Sequence, residues 1–277
     1  MATMSKRAAR TVLRKESSSS QSLSMMLYGL RSNRFKHQKS KKMLSCLPRI
    51  VEKCREPLDA QAVGNALYGL QGMSSDDADV RSLVRVLAGH VERCREPLST
   101  QNVGNALYGL QGMSSDDADV RSLVRVFAGH VERCREPLDV QAVGNALYGL
   151  QGMSSDDADV RSLVRVLVGQ VERCREPLST QNVGNALYGL QGMFNAADGQ
   201  GLGSYMLKSF ITLHKVAVDY TPESIACGRS VVMCLPLLRD HLTLSDVKEC
   251  ERIITDIENY IVEFSRSCCE YEFPIAR

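Results

Sequence analysis

One segment of the sequence occurs four times at a fixed spacing. QNVGNALYGLQGM stands at residues 181–193 and at 101–113, and a version with Ala at its second position stands at 61–73 and 141–153. The copies therefore start forty residues apart. Self-similarity with a period of this length is typical of solenoids, in which each repeat is one supersecondary unit that stacks on its neighbours. This repetition constrains the fold more tightly than the overall length does.

Each period contains two helical patterns. In residues 99–138, Val103, Ala106, Leu107 and Leu110 have the i, i+3, i+4, i+7 spacing of one helix face. Ser99 precedes this first helix as an N-cap, as Asp59 does one period earlier, and Gly112 is the expected C-terminal cap. We expect a first helix of about thirteen residues.

The second half of the period predicts a longer helix. The segment SSDD supplies a turn and a second N-cap, and Asp117 and Asp119 are favoured near the positive end of the helix that follows. Apolar residues then recur at helical spacing until Pro137 stops the helix. We expect this second helix to have about nineteen residues. One hairpin of this kind leaves apolar surface exposed unless neighbours stack on it. The sequence therefore predicts an all-α fold, an α-solenoid of about six helical hairpins with a forty-residue period.

The repeat weakens toward both ends of the chain. Residues 21–33, QSLSMMLYGLRSN, keep several positions of the motif and stand one period before the second copy. We predict a basic tail at 1–18, a degenerate first repeat at 19–58, near-identical repeats at 59–193, and degenerate repeats with capping helices at 194–277. Degenerate terminal units are expected because the ends of a solenoid must be sealed.

The charge is unevenly distributed. Residues 1–45 contain eleven Lys or Arg and one acidic residue, so the remaining chain carries −8 of the total net charge of +2. The basic, Ser-rich start resembles an organelle transit peptide in composition, and an ordinary disordered tail fits equally well. Residues 34–42, RFKHQKSKK, are a candidate phosphate anchor or a nuclear-localisation cluster, so nucleus and cytoplasm stay open beside the chloroplast or mitochondrion. The anchor would consist of Arg34, Lys36, Lys39, Lys41 and Lys42.

A polar and aromatic pattern lies opposite the apolar stripe of the first helix. On a helical wheel, Gln101, Asn105 and Tyr108 point away from that stripe. Stacking would align their equivalents along one surface, which we call the ladder face. Its members are Gln61, Asn65, Tyr68, Gln101, Asn105, Tyr108, Gln141, Asn145, Tyr148, Gln181, Asn185 and Tyr188.

Three interpretations of the ladder face remain open. Aromatic faces stack on unpaired bases and amides read base edges, so single-stranded RNA is one partner. An extended peptide is another, held through its backbone by Asn and through an apolar side chain by Tyr. The third interpretation is packing between repeats. We also expect Asn102 and Asn182 at the edge of this face, where an amide would discriminate bases in every second repeat; duplication of a two-repeat unit explains their alternation with Ala equally well.

The sequence contains no catalytic constellation. It has no phosphate-binding glycine loop, no C-x-x-C pair and no apolar run approaching the ~18 residues of a membrane span. We therefore predict no enzyme activity, metal, cofactor, small-molecule substrate or membrane partner. His90 and His130 fit a packing or a solvent-facing role. Cysteines recur once per repeat and are expected to be buried thiols: Cys54, Cys94, Cys134 and Cys174. Arg121 and Arg125 form a stripe that we expect to be a solvated face, with Asp117 paired to Arg121.

The motif QNVGNALYGL resembles the first helix of octotricopeptide repeats, which are helical hairpins of nearly this length. Gln101, Val103, Gly104, Asn105, Leu107 and Leu110 fit that pattern, whereas Tyr108 and Gly109 stand where Trp-Ala is usual. The resemblance covers about residues 20–193. It implies single-stranded RNA binding in chloroplasts or mitochondria, in support of transcript processing, stability or translation. The alternative is an armadillo-like scaffold that binds an extended peptide.

Overall fold

A computed structural model describes residues 20–32, 38–216 and 220–270, and all regular structure in these ranges is helical. The prediction of an all-α fold is therefore confirmed. The α-helices, numbered in chain order, are α1 Ser20–Tyr28, α2 Gln38–Leu44, α3 Leu47–Glu52, α4 Ala60–Tyr68, α5 Ala78–Arg93, α6 Thr100–Tyr108, α7 Ala118–Glu132, α8 Val140–Tyr148, α9 Ala158–Arg173, α10 Thr180–Gly189, α11 Ala197–Val216, α12 Pro222–Leu238 and α13 Leu244–Glu270. Short 3-10 helices lie at Gly29–Ser32, Gln191–Met193 and Arg239–His241.

The helices form two stacked layers. Each helix packs against its equivalent in the adjacent repeat, which gives a first layer of α1, α4, α6, α8, α10 and α12 and a second layer of α3, α5, α7, α9, α11 and α13. Contacts between successive repeats in both layers define a solenoid. The predicted α-solenoid of helical hairpins is confirmed. The predicted tail, residues 1–18, lies outside the described residues.

Both helices of a repeat are shorter than the sequence pattern predicts. The first helix has nine residues in Thr100–Tyr108, and the second has fifteen in Ala118–Glu132. The predicted C-cap at Gly112 is wrong, because the helix is capped at Gly109: the N–H of Gly109 donates to the carbonyl of Asn105, and the N–H of Leu110 donates to that of Leu107. The remaining motif residues form a turn. The N-caps are as predicted, since Ser99 accepts from the N–H of Asn102.

Glycines let the first layer pack closely. A Cβ on Gly109 would lie 2.0 Å from the carbonyl oxygen of Leu67 in the preceding repeat, and one on Gly104 would lie 2.7 Å from the Cα of Ala142 in the next. These distances leave no room for a side chain. The predicted cap Gly112 also meets a neighbour, because its Cβ would lie 2.0 Å from the carbonyl oxygen of Met73. Gly104, Gly109 and Gly112 are therefore inter-repeat contacts, whereas Gly72, at the position equivalent to Gly112, has a φ of 79° and no neighbour within 4 Å of a Cβ.

A column of buried polar side chains links the second layer. His130 Nε2 lies 2.8 Å from the carbonyl oxygen of Val91, one period earlier. At the equivalent position, Gln170 Nε2 donates to the carbonyl of Val131 at 3.1 Å. Both side chains are buried, so the packing role predicted for the histidines is confirmed and the solvent-facing alternative is wrong. Both residue types thus bring an Nε2 atom within hydrogen-bonding distance of a carbonyl of the preceding repeat.

The arginine stripe pairs between repeats. The expected pair of Asp117 with Arg121 in the same helix is wrong: Asp117 lies 3.4 Å from Arg81, and Arg121 lies 3.5 Å from Asp157. Arg121 Nη1 also donates to the carbonyl of Ser115. Asp117 is the N-cap of its helix, so its carboxylate already accepts backbone N–H groups and faces the preceding repeat. Much of the stripe is therefore neutralised by neighbouring acids.

The recurring cysteines are structural. Cys54, Cys94 and Cys134 are buried thiols, as predicted, whereas the prediction for Cys174 is wrong, since Cys174 is only half-buried. Further thiols fill the C-terminal repeats, and burial raises the pKa of Cys227, Cys234 and Cys250 to about 12. Such thiols stay protonated and unreactive at neutral pH. Burial also raises the pKa of Cys54, Cys94 and Cys134, which is the opposite of the shift that activates a nucleophilic thiol.

Candidate binding face

The ladder face is uncharged and lies along the first layer. Helices α4, α6, α8 and α10 contain no Lys, Arg, Asp or Glu, so the acidic excess of the body is carried elsewhere. In each of these four helices the glutamine is exposed and the asparagine is half-buried. Gln141 Nε2 donates to Asn145 Oδ1 at 3.1 Å, so neighbouring amides are close enough to share a partner. The surface offers both donors and acceptors at every repeat.

The tyrosines of the ladder face form a continuous stack. Tyr28, in the degenerate first repeat, lies 5.7 Å from Tyr68 between ring centroids, and the next three steps are 5.9, 5.4 and 5.7 Å. The interplanar angles are 20–27°. Offset stacking at such distances stabilises an aromatic pair by about 0.5–1.5 kcal/mol beyond area burial. The stacked residues are Tyr28, Tyr68, Tyr108, Tyr148 and Tyr188.

This stack changes the role expected of the tyrosines. Each interior ring has a tyrosine on both sides, so its faces are covered and it is wrong to regard it as a platform for one base per repeat. Burial, followed by the electrostatic effect of Tyr148 and Tyr68, raises the pKa of Tyr108. The phenol is therefore neutral at physiological pH. What an interior tyrosine presents to a partner is its edge.

The alternating asparagines lie between repeats. The side chain of Asn102 lies against Gly64, where a Cβ would meet its Oδ1 at 2.8 Å. Asn182 is buried, donates through Nδ2 to the carbonyl of Val140 at 2.9 Å, and completes a capping box with Ser179. The expected position of Asn182 at an open edge of the ladder face is wrong. At this position the space against a glycine of the preceding repeat is therefore filled in turn by Asn and by Ala.

The two ends of the tyrosine stack differ. At the N-terminal end, the guanidinium of Arg31 lies 4.0 Å from the centroid of the Tyr28 ring. At the C-terminal end, Tyr188 is 40 % exposed and lines a cavity of about 520 Å³ between α10 and α12. The repeat pattern does not predict this cavity, because α12 departs from the repeat motif. The loss of the Tyr position after residue 193 was the signal that could have indicated it.

The proposed phosphate anchor is only partly described. Lys41 and Lys42 are exposed on α2. Lys39 belongs to the same helix, whereas Arg34 and Lys36 lie outside the described residues. The two exposed lysines bring positive charge to the N-terminal end of the solenoid.

The described ranges contain no cluster of His, Cys, Asp and Glu that could hold a metal ion. No helix within them is long and apolar enough to cross a membrane. The chain matches no protein-family model, no curated protein and no solved structure.

Proposed function

We propose that this protein is a non-enzymatic adaptor that binds single-stranded RNA along the ladder face. The observation that carries the proposal is a row of exposed amides, repeated at one position of four consecutive helices and free of acidic neighbours in those helices. An extended polymer with a regular spacing of hydrogen-bonding groups suits such a row. The resemblance to octotricopeptide repeats supports the same partner and an organellar role in transcript processing, stability or translation.

The amides and tyrosines have different tasks in this proposal. Exposed glutamines such as Gln61, Gln101 and Gln141 have both a donor and an acceptor for the edges of unpaired bases. The tyrosine stack behind them is a rigid spine that fixes the spacing of the row. A fixed row of donors and acceptors binds with a smaller entropy loss than a flexible one. Because the four repeats present nearly identical side chains, we expect the protein to discriminate little between RNA strands of different mixed sequence.

Phosphate contacts are few in this mode of binding. Few cations lie at the ends of the row: Arg31 lies over Tyr28, Arg229 lines a cavity together with Gln181, and Lys41 and Lys42 are exposed on α2 in the degenerate first repeat. Since each neutralised phosphate contributes about −0.7 to the slope of log affinity against log salt for single strands, we expect a shallow salt dependence. Duplex RNA, which hides its base edges in a deep groove, should bind weakly.

An extended peptide is the second candidate, and the neutrality of the ladder face favours it. Asparagine columns such as Asn65, Asn105 and Asn145 could hold a peptide backbone without any contribution from charge. In that case the protein is an interaction scaffold similar to armadillo proteins. The two candidates differ in whether a homopolymer RNA binds at all.

The test measures the fluorescence anisotropy of a labelled single-stranded homopolymer RNA and of the same strand annealed to its complement. Selection of a phage-displayed peptide library on the protein tests the second candidate. In a four-glutamine variant, all four exposed amides are replaced: Gln61→Ala, Gln101→Ala, Gln141→Ala and Gln181→Ala. Each lost hydrogen bond is expected to cost about 1 kcal/mol, so RNA affinity should fall at least roughly tenfold.

The matched control changes the second layer. Arg85 and Arg165 are mostly exposed, at 67 % and 72 % of their side chains, and Arg125 is their equivalent. Replacing these three arginines by Gln should leave RNA affinity within about twofold, because they lie away from the ladder face and partly pair with acids. If the wild-type protein does not bind RNA but binds peptides through the same glutamines, its function is that of the interaction scaffold.

A further inference from the structure

The tyrosine stack ends at Tyr188, beside a cavity that both Tyr148 and Tyr188 line. Helix α12 packs against α10 as the earlier first-layer helices pack against one another. Its sequence, PESIACGRSVVMCLPLL, has no aromatic residue to continue the stack. Tyr188 therefore has one face against Tyr148, while its ring also lines the cavity of about 520 Å³. That volume lies in the range of about 300–1,000 Å³ that small-molecule sites occupy.

Polar groups surround the exposed ring. The cavity is lined by amides of the ladder face, Gln181 and Asn185, and by Glu223 and Arg229 from α12. Arg229 is exposed, and within the described part of the chain it has no ion-pair partner. An aromatic ring, a carboxylate, two amides and a guanidinium without an ion-pair partner among the described residues thus line one cavity.

We propose that this cavity binds the terminal purine nucleotide of a single-stranded RNA, with the base stacked on Tyr188 and the phosphate on Arg229. The inference rests on the proposed RNA-binding function and adds an end-specific site to it. The base continues the stack as its next ring, and base–aromatic stacking of this kind does not depend on reading one sequence. The remainder of the strand would follow the ladder face toward the first repeat.

The polar groups favour a purine over uracil. A carboxylate such as Glu223 accepts from the amino group of adenine or from the N–H edge of guanine, as carboxylates accept from base amino groups elsewhere. Uracil offers one N–H between two carbonyl oxygens, which a carboxylate repels. A purine also covers more of the tyrosine ring. The opposite end of the stack offers no equivalent site, because Arg31 already lies over Tyr28.

Isothermal titration calorimetry of the full chain with AMP, GMP, UMP and adenosine tests the proposal. The purine nucleotides should bind more tightly than UMP, and Tyr188→Leu should weaken them roughly five- to hundredfold. The matched control is Tyr205→Leu, since Tyr205 is a comparably exposed tyrosine, at 48 %, that does not line the cavity. Arg229→Gln should abolish the preference for AMP over adenosine.

The outcomes separate this inference from the proposed function. If single-stranded RNA binds through the glutamines but purine nucleotides do not bind, or bind equally to the Tyr188→Leu variant, the terminal site is refuted and the ladder proposal stands. If purine nucleotides bind through Tyr188 and a long single strand binds no more tightly than its terminal nucleotide alone, the ladder proposal fails and the terminal site stands. Tighter binding of N-acetyltyrosinamide than of any nucleotide would assign the cavity to a peptide side chain and overturn the inference.

Discussion

At the scale of single residues, the buried column of His90, His130 and Gln170 keeps one contact to a carbonyl of the preceding repeat although the residue type changes. Arg133 Nη2 lies 3.2 Å from His130 Nδ1, so that nitrogen accepts, and the opposite Nε2–H donates to Val91. The imidazole is therefore neutral in the fold. Burial lowers the pKa of both His90 and His130, in agreement with this assignment.

The first prediction is that His130→Gln is nearly neutral and His130→Leu is destabilising. Glutamine keeps the N–H that Gln170 uses at the same position of a later repeat. Leucine removes a buried hydrogen bond, which should lower the free energy of unfolding by about 1 kcal/mol. Urea denaturation followed by circular dichroism measures both. Equal losses in the two variants would show that ring packing, not the hydrogen bond, holds the column.

The second prediction concerns pH. Because the folded-state pKa of His90 and His130 is lower than the unfolded value of about 6.5, the unfolded chain binds more protons below that pH. Their contribution to stability is full above about pH 6.5 and is lost as pH falls toward the folded pKa. The double variant His90→Gln, His130→Gln should lose less stability on acidification than the wild type. Parallel pH profiles of urea midpoints would contradict this; His214, also buried, is common to both proteins.

At the scale of elements, glycine has opposite roles in the two layers. Gly109 touches the backbone of the preceding repeat, whereas a Cβ on Gly169, inside α9, would have nothing within 4 Å. The third prediction is that Gly109→Ala lowers the free energy of unfolding by about 1–3 kcal/mol through overpacking. Gly169→Ala should raise it by about 0.5–1 kcal/mol, because alanine favours the helix. Thermal melts of the two variants that shift in the same direction would refute this distinction.

The sequence predicted the elements well and the contacts between them less well. Periodicity identified both helices, and the N-caps at Asp59 and Ser99 are correct because capping is local. Helix length was overestimated, since the apolar stripe continues to Leu110 after the backbone has turned at Gly109. Pairing of Asp117 with Arg81 depends on how neighbouring repeats stack, and the sequence of one repeat does not show this.

The same reason limited the prediction of the site. The wheel placed Tyr108 on the ladder face, but only the spacing between repeats shows that its faces are covered by Tyr68 and Tyr148. Burial of Asn182 follows from the close approach of Gly144 in the previous repeat. The cavity at Tyr188 lies between a regular helix, α10, and a degenerate helix, α12, so the repeat pattern does not predict it.

At the scale of the whole molecule, near-identical interfaces make the stack modular. The fourth prediction is that deletion of residues 99–138 leaves a folded solenoid. Leu98 would then precede Asp139, and Gly64 would face Ala142 as Gly104 does in the intact protein. Stability should fall because one repeat and one interface are lost. A deletion protein that denatures without a cooperative transition would show that the repeats are not interchangeable.

The most direct test of the central claim is a cross-linking map of bound RNA. Trypsin cuts after Arg95 and Arg121, so residues 96–121 carry the ladder face, whereas the second-layer helix yields residues 122–125 and 126–133. Mass spectrometry after ultraviolet cross-linking to 4-thiouridine RNA therefore separates the two layers. We predict that the nucleotide adducts lie on 96–121 and its equivalents, at Gln101, Asn105 or Tyr108. Adducts concentrated on the second-layer peptides, or none above the level of duplex RNA, would contradict the ladder face as an RNA-binding surface.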